Sequence, residues 1–142
     1  MSALLDTGFL LAVLDSDDEF HKSCSEALLA EPFPLLPDVV LPELAYMVLR
    51  ELGYSVLIDF LKSIHKDELV IEKANRDALA RTVEILEKYA DSHVDFVDCV
   101  IVAMAERLKI KRILTVDRRH FQLFRPKHCK SCFCISSSNI SR

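Results

Sequence analysis

Along the chain, short apolar runs alternate with longer stretches in which apolar residues return every three or four positions. Runs of the first kind predict strands: SALL at 2–5 and RILTV at 112–116 most plainly, with PLLP at 34–37, ELVIE at 68–72 and CFCIS at 132–136 as weaker candidates. Stretches of the second kind predict helices over 7–14, 18–30, 39–52, 54–65, 76–90 and 95–108. Asp17 or Asp18, Asp38 and Asn75 stand where side-chain oxygens cap helix starts, and Gly53 stands where a helix ends, since it takes a positive φ without a Cβ clash. Strands that alternate with helices imply a parallel sheet covered on both faces. The expected class is therefore α/β, a three-layer α/β/α arrangement around a central parallel sheet of about five short strands.

Composition narrows this without changing it. A chain of 142 residues, 51% apolar, with 2 glycines and 5 prolines has little room for linkers, so one domain over 1–136 is expected, followed by a disordered polar tail at 137–142. The start, MSALLDTG, has no basic segment and meets Asp6 before an apolar run is long enough for a signal peptide. The run CVIVAMA at 99–105 is too short to cross a bilayer, so a soluble, cytoplasmic protein without membrane contact is expected. Five cysteines, Cys24, Cys99, Cys129, Cys132 and Cys134, are then read as reduced thiols. The C-x-x-C within HCKSCFC lacks a second ligand pair, and its period-two pattern suits a final strand better than zinc. None of the histidines forms a ligand pair at helical spacing; His120, in DRRHF, is a candidate phosphate contact.

The chemistry begins at Asp98, one carboxylate within the apolar run FVDCVIVAM. Burying an unpaired charge is unfavourable, so Asp98 either faces solvent or has a partner. Asp6 directly follows strand SALL and Asp117 follows RILTV, which puts both at the carboxyl ends of parallel strands, where open α/β sheets place their sites. Glu43 and Asp98 fall in first turns of helices that begin at the same edge. Each acid alone reads more readily as a cap or a surface residue; their joint placement is the signal. An all-oxygen, histidine-free pocket suits Mg²⁺ or Mn²⁺, and such a cation bridges phosphate oxygens and activates water for phosphodiester cleavage. Charge agrees: residues 106–142 hold 10 Lys or Arg against 2 acids, whereas 1–105 hold 8 against 20. Arg118 and Arg119, next to Asp117, are expected to hold substrate phosphate at the rim.

Three stretches, LLDTGFLLAVLD at 4–15, PELAYMVLRELG at 42–53 and VDFVDCVIVAMAERLKIKRILTVDRRHF at 94–121, resemble the successive motifs of PIN-domain proteins, and the single-domain length resembles the VapC-type toxins of toxin–antitoxin systems. The resemblance implies a PIN-like fold and a metal-dependent endoribonuclease, with Asp6, Glu43, Asp98 and Asp117 as both catalytic and metal-binding acids. It also implies a homodimer and a small antitoxin partner. Asp95, on the same helical side as Asp98, competes for the third acidic position; the family pattern favours Asp98 and leaves Asp95 as a helix-start or supporting acid. Thr7 and Thr115 resemble positions that orient the carboxylates, with a plain helix cap as the other reading of Thr7. The competing folds fail on single residues: only Gly8 follows the first strand, too little glycine for a nucleotide-binding loop, and it occupies the position where a haloacid-dehalogenase-like phosphatase has its second Asp. A receiver domain would need an acidic pair that LLDTG lacks. A non-catalytic PIN domain that binds RNA or protein is the remaining alternative.

Overall fold

The computed structural model describes residues 2–117, 121, 123, 124 and 126–128, and the backbone of 133–135. In chain order its elements are β1 (Ser2–Leu5), α1 (Thr7–Leu14), α2 (His21–Ala30), β2 (Phe33–Pro37), α3 (Val40–Glu51), α4 (Tyr54–His65), β3 (Val70–Glu72), α5 (Arg76–Lys88), a 3-10 turn at Ala90–Ser92, α6 (Phe96–Leu108), β4 (Arg112–Leu114) and β5 (Phe133–Ile135). The five strands form one sheet in the order β3-β2-β1-β4-β5, and every pairing is parallel. Parallel neighbours need crossover helices, and these make the outer layers of the three-layer α/β/α fold. One set of helix contacts joins α1 to α2 and α3, and α3 to α4; another joins α5 to α6.

The middle strand is apolar because both faces of it are covered: Ala3, Leu4 and Leu5 are fully buried. Among the helices α6 is the most enclosed, with Val97 and every residue from Cys99 to Ala105 buried. That explains why FVDCVIVAMA lacks a polar stripe: a helix covered all round has no solvent face to mark. Helix α4 is amphipathic instead. Leu57 and Phe60 go inward, while Tyr54, Ile58 and Leu61 remain exposed.

Two expected caps act differently. Asp38 does not cap α3: its backbone N–H extends the β2–β3 ladder by donating to the Glu72 carbonyl, and its carboxylate accepts from the Ala74 N–H at 3.1 Å. Helix α3 therefore starts at Val40 behind Val39, with no side-chain cap. Asp18 accepts from the Phe20 N–H at 2.8 Å, which keeps residues 18–20 in a turn and delays α2 to His21. Asn75 caps α5 through the Ala78 N–H at 2.8 Å, and Gly53, at φ 92°, joins α3 to α4. Among the described residues no helix is long and apolar enough to cross a membrane.

Candidate active site

The register of the central strands builds one edge of the site. Leu5 is level with Leu114, and the Asp6 N–H donates to the Leu114 carbonyl at 3.2 Å, so Asp6 and Thr115 lie side by side where β1 and β4 end. Asp6 caps α1: its Oδ1 accepts from the Phe9 N–H at 2.8 Å. Its Oδ2 accepts a short hydrogen bond from the Thr115 hydroxyl. That same hydroxyl accepts from the Asp117 N–H at 2.9 Å. Thr115, fully buried, thus spends its one proton on Asp6 and its lone pair on Asp117, locking the two acidic positions to each other. Strand β4 stops at Leu114, just before this shared hydroxyl, instead of running on to residue 116.

Burial pushes the Asp6 carboxyl up to about 7. The Thr115 and Phe9 hydrogen bonds pull it down, and the negative charges of Asp98 and Asp117 push it further up. Two of the other three predicted acids, Asp98 of α6 and Asp117 after β4, are therefore each within electrostatic reach of Asp6. Glu43 sits in the first turn of α3, at the same carboxyl edge, and is half-buried. Asp95 is separate from this group: exposed, it caps α6 by accepting from the Val97 N–H at 2.8 Å. Thr7 is the first residue of α1, not its cap; its buried hydroxyl finds no hydrogen-bond partner among the described residues.

The donor set is all oxygen and negatively charged, and among the described residues no positive group acts on Asp6, which is the chemistry a hard divalent cation answers. Among the described residues no three His, Cys, Asp or Glu side chains are grouped so as to hold a metal ion as they stand. The ion fits by charge and donor type, and its capture would require carboxylates to turn towards Asp6. At the two described thiols, Cys24 and Cys99, nucleophilic chemistry is a poor competitor. Burial, followed by the charges of Asp98 and Asp95, raises Cys99 to about 11, and burial raises Cys24 equally, so both are protonated at neutral pH.

Several basic residues of the C-terminal third are already engaged away from this edge. Arg112 opens β4 at the opposite end of the sheet and contacts the buried Glu31 carboxylate at 2.6 Å, as an ion pair without hydrogen-bond alignment. Lys127 lies 3.7 Å from Glu84, and its backbone N–H donates to Glu106. Arg118, Arg119 and His120 lie outside the described residues, as do Cys129, Cys132 and the side chain of Cys134. Sequence reasoning passed over Phe96, which stands half-exposed at the start of α6; the available signal was an aromatic at a helix start flanked by two acids.

A family model described as the PIN domain matches residues 3–125. The chain is 30% identical over 125 residues to a protein named Ribonuclease VapC26 from Mycobacterium tuberculosis, covering 87% of this chain and 92% of that one. Among solved structures it resembles M. tuberculosis VapC20, described as a sarcin-ricin loop cleaving toxin, with a TM-score of 0.75, 19% identity, and 83% and 92% of the two chains covered. It also resembles VapBC2 of Rickettsia felis bound to a fragment of its promoter DNA, with a TM-score of 0.70, 15% identity, and 96% and 98% covered. At such identities these two structures speak for the fold.

Proposed function

Because the chain belongs to the PIN-domain family and resembles its VapC members, we propose that it is an endoribonuclease that hydrolyses RNA phosphodiester bonds at the carboxyl edge of its sheet. The observation that carries the reading is the joining of Asp6 to Asp117 through the Thr115 hydroxyl, with Asp98 acting on the same Asp6 carboxyl, in a relative of a ribonuclease that it matches over nearly the full length of both. Asp6, Glu43, Asp98 and Asp117 would hold Mg²⁺ or Mn²⁺. Such an ion supplies a water nucleophile at neutral pH and neutralises charge building on phosphate oxygens. Thr115 keeps Asp6 oriented, and Asp6 would serve as a ligand once it gives up the proton that burial favours on it. Arg118 and Arg119 follow Asp117 directly in sequence and would contact phosphates.

The protein would act in the cytoplasm as the toxin of a toxin–antitoxin pair, bound by a small antitoxin, and as a homodimer through α3 and α4, where Tyr46, Leu49, Tyr54, Ile58 and Leu61 are exposed. Purified protein should cut single-stranded RNA with Mg²⁺ or Mn²⁺, lose activity in EDTA, and lose it as Asp98→Asn. RNA binding without cleavage at any divalent ion concentration would instead establish the non-catalytic, RNA-binding reading.

A further inference from the structure

We infer that Phe96 is the platform on which an unpaired base of the RNA stacks beside the carboxylates, an inference that rests on the ribonuclease reading. Phe96 is the first residue of α6 and is 50% exposed, whereas Cys99 and Val100, one turn further along its own face, are fully buried. The ring is therefore the end of a buried stripe, showing where α6 emerges from the core at the edge that carries Asp98. Nothing in the fold requires an aromatic there. Asp95 already caps the helix through the Val97 N–H, the core is closed by the residues that follow, and phenylalanine is a mediocre helix former. Among the described residues no other ring and no cation stacks on Phe96, so its face is open.

Electrostatics supplies the reason for a ring at this place. Asp95 and Asp98 flank Phe96, and with Asp6 and Asp117 they make an edge that repels phosphate. Besides the cations proposed there, affinity next to such carboxylates can come from an uncharged contact, and the face of a nucleobase on an aromatic ring is one that does not depend on charge. The other exposed aromatics are less suited. Phe33 begins β2, at the opposite end of the sheet, Tyr54 lies beyond the far end of α3 from Glu43, and Tyr46 is covered by the Arg50 guanidinium at 5.6 Å from its centroid. A stacked platform also selects the substrate. Bases inside a duplex are stacked on one another, so the strand at the site must be single-stranded or looped, with a base splayed out next to the bond to be cut.

The chain has no tryptophan, so Phe96→Trp installs a single fluorescent reporter that keeps the aromatic face. Cleavage of a short single-stranded RNA in Mg²⁺ should show Phe96→Ala with KM raised roughly ten-fold and kcat within about two-fold, stacking of one base being of that size. The log-log salt slope of binding should not change, since no phosphate contact is lost. Phe96→Trp should restore KM, and its emission should be quenched by the single strand but not by the same strand annealed to its complement. Phe33→Ala should leave KM unchanged. An unaltered KM in Phe96→Ala, or unquenched Phe96→Trp emission in a protein that cuts RNA, overturns the inference and leaves the ribonuclease reading standing. Absence of both RNA cleavage and RNA binding by the wild type overturns the two together.

Discussion

Both oxygens of Asp6 are occupied, Oδ1 by the Phe9 N–H and Oδ2 by the Thr115 hydroxyl, yet burial still lifts its carboxyl to about 7. Its folded value lies above the 3.8 of an exposed aspartate, so its stabilising contribution is complete below pH 3.8 and is lost as pH rises through about 7. Across that window the loss is on the order of 4 kcal/mol. Asn caps helices as well as Asp does, so Asp6→Asn should keep α1 while removing this component. In EDTA, urea unfolding at pH 4.5 and 7.5 should show wild type losing several kcal/mol more than Asp6→Asn over the interval; equal losses would refute the charged-burial account. Asp98 acts on the same carboxyl from α6. Removing its charge as Asp98→Asn should stabilise the metal-free protein by about 1 kcal/mol, raising Tm by roughly 3 °C for a domain of this size. Mg²⁺ should then shift the Tm of the variant far less than that of wild type, because the variant lacks one of the proposed ligands. A variant that melts lower and keeps the full Mg²⁺ shift would show Asp98 to be structural.

At the scale of the element, α6 separates two acids that the sequence sets three residues apart. Asp95 caps the helix and is exposed; Asp98 lies within the first turn and reaches Asp6. Asp95→Ala should therefore destabilise the fold by about 1 kcal/mol, the usual effect of losing an N-cap, and leave the Mg²⁺-induced rise in Tm unchanged. A thermal scan with and without Mg²⁺ checks both halves, and loss of the Mg²⁺ effect would transfer the ligand role to Asp95. The same helix shows why element boundaries were legible at some ends and not others. Asn75, Asp95 and Gly53 act locally, within a few residues of the ends they set, and local effects are visible in sequence. Asp38 is recruited by Ala74, 36 residues away, and no local pattern announces that.

For the whole molecule, the apolar residues of α4 divide into those that cover the core and those left outside it. Leu57 and Phe60 are buried, while Tyr54, Ile58 and Leu61 are exposed, with Tyr46 and Leu49 of α3 exposed as well. Apolar side chains beyond what one core uses are expected to be covered by a second surface. Ile58→Lys puts a charge into that face without touching the core, so it should convert a micromolar dimer into monomer in sedimentation while melting by itself within a few degrees of wild type. A wild type that sediments as monomer at micromolar concentration would remove the dimer from the proposal.

The sequence by itself determined the α/β class, the five parallel strands and the ends of α1 and α4, because hydrophobic period and local turn residues act over a few positions and leave their mark in order. It also placed Asp6 and Asp117 after strands and Asp98 in the first turn of a helix, since strand ends and helix starts are themselves local. Tertiary structure alone decided what those acids meet. Thr115 joins Asp6 to Asp117 only because β1 and β4, 109 residues apart, are paired in register at Leu5 and Leu114. The raised proton affinity of Asp6 exists only because the core closes over it. Arg112 pairs with Glu31 for the same reason: β2 and β4 begin at the same edge of the sheet on either side of β1, where Arg112 reaches the Glu31 carboxylate that precedes β2, which takes from the basic stretch a cation that sequence left free for phosphate. Such effects depend on which distant segments share an edge and on how much water is excluded there, and neither quantity is written in the order of neighbouring residues.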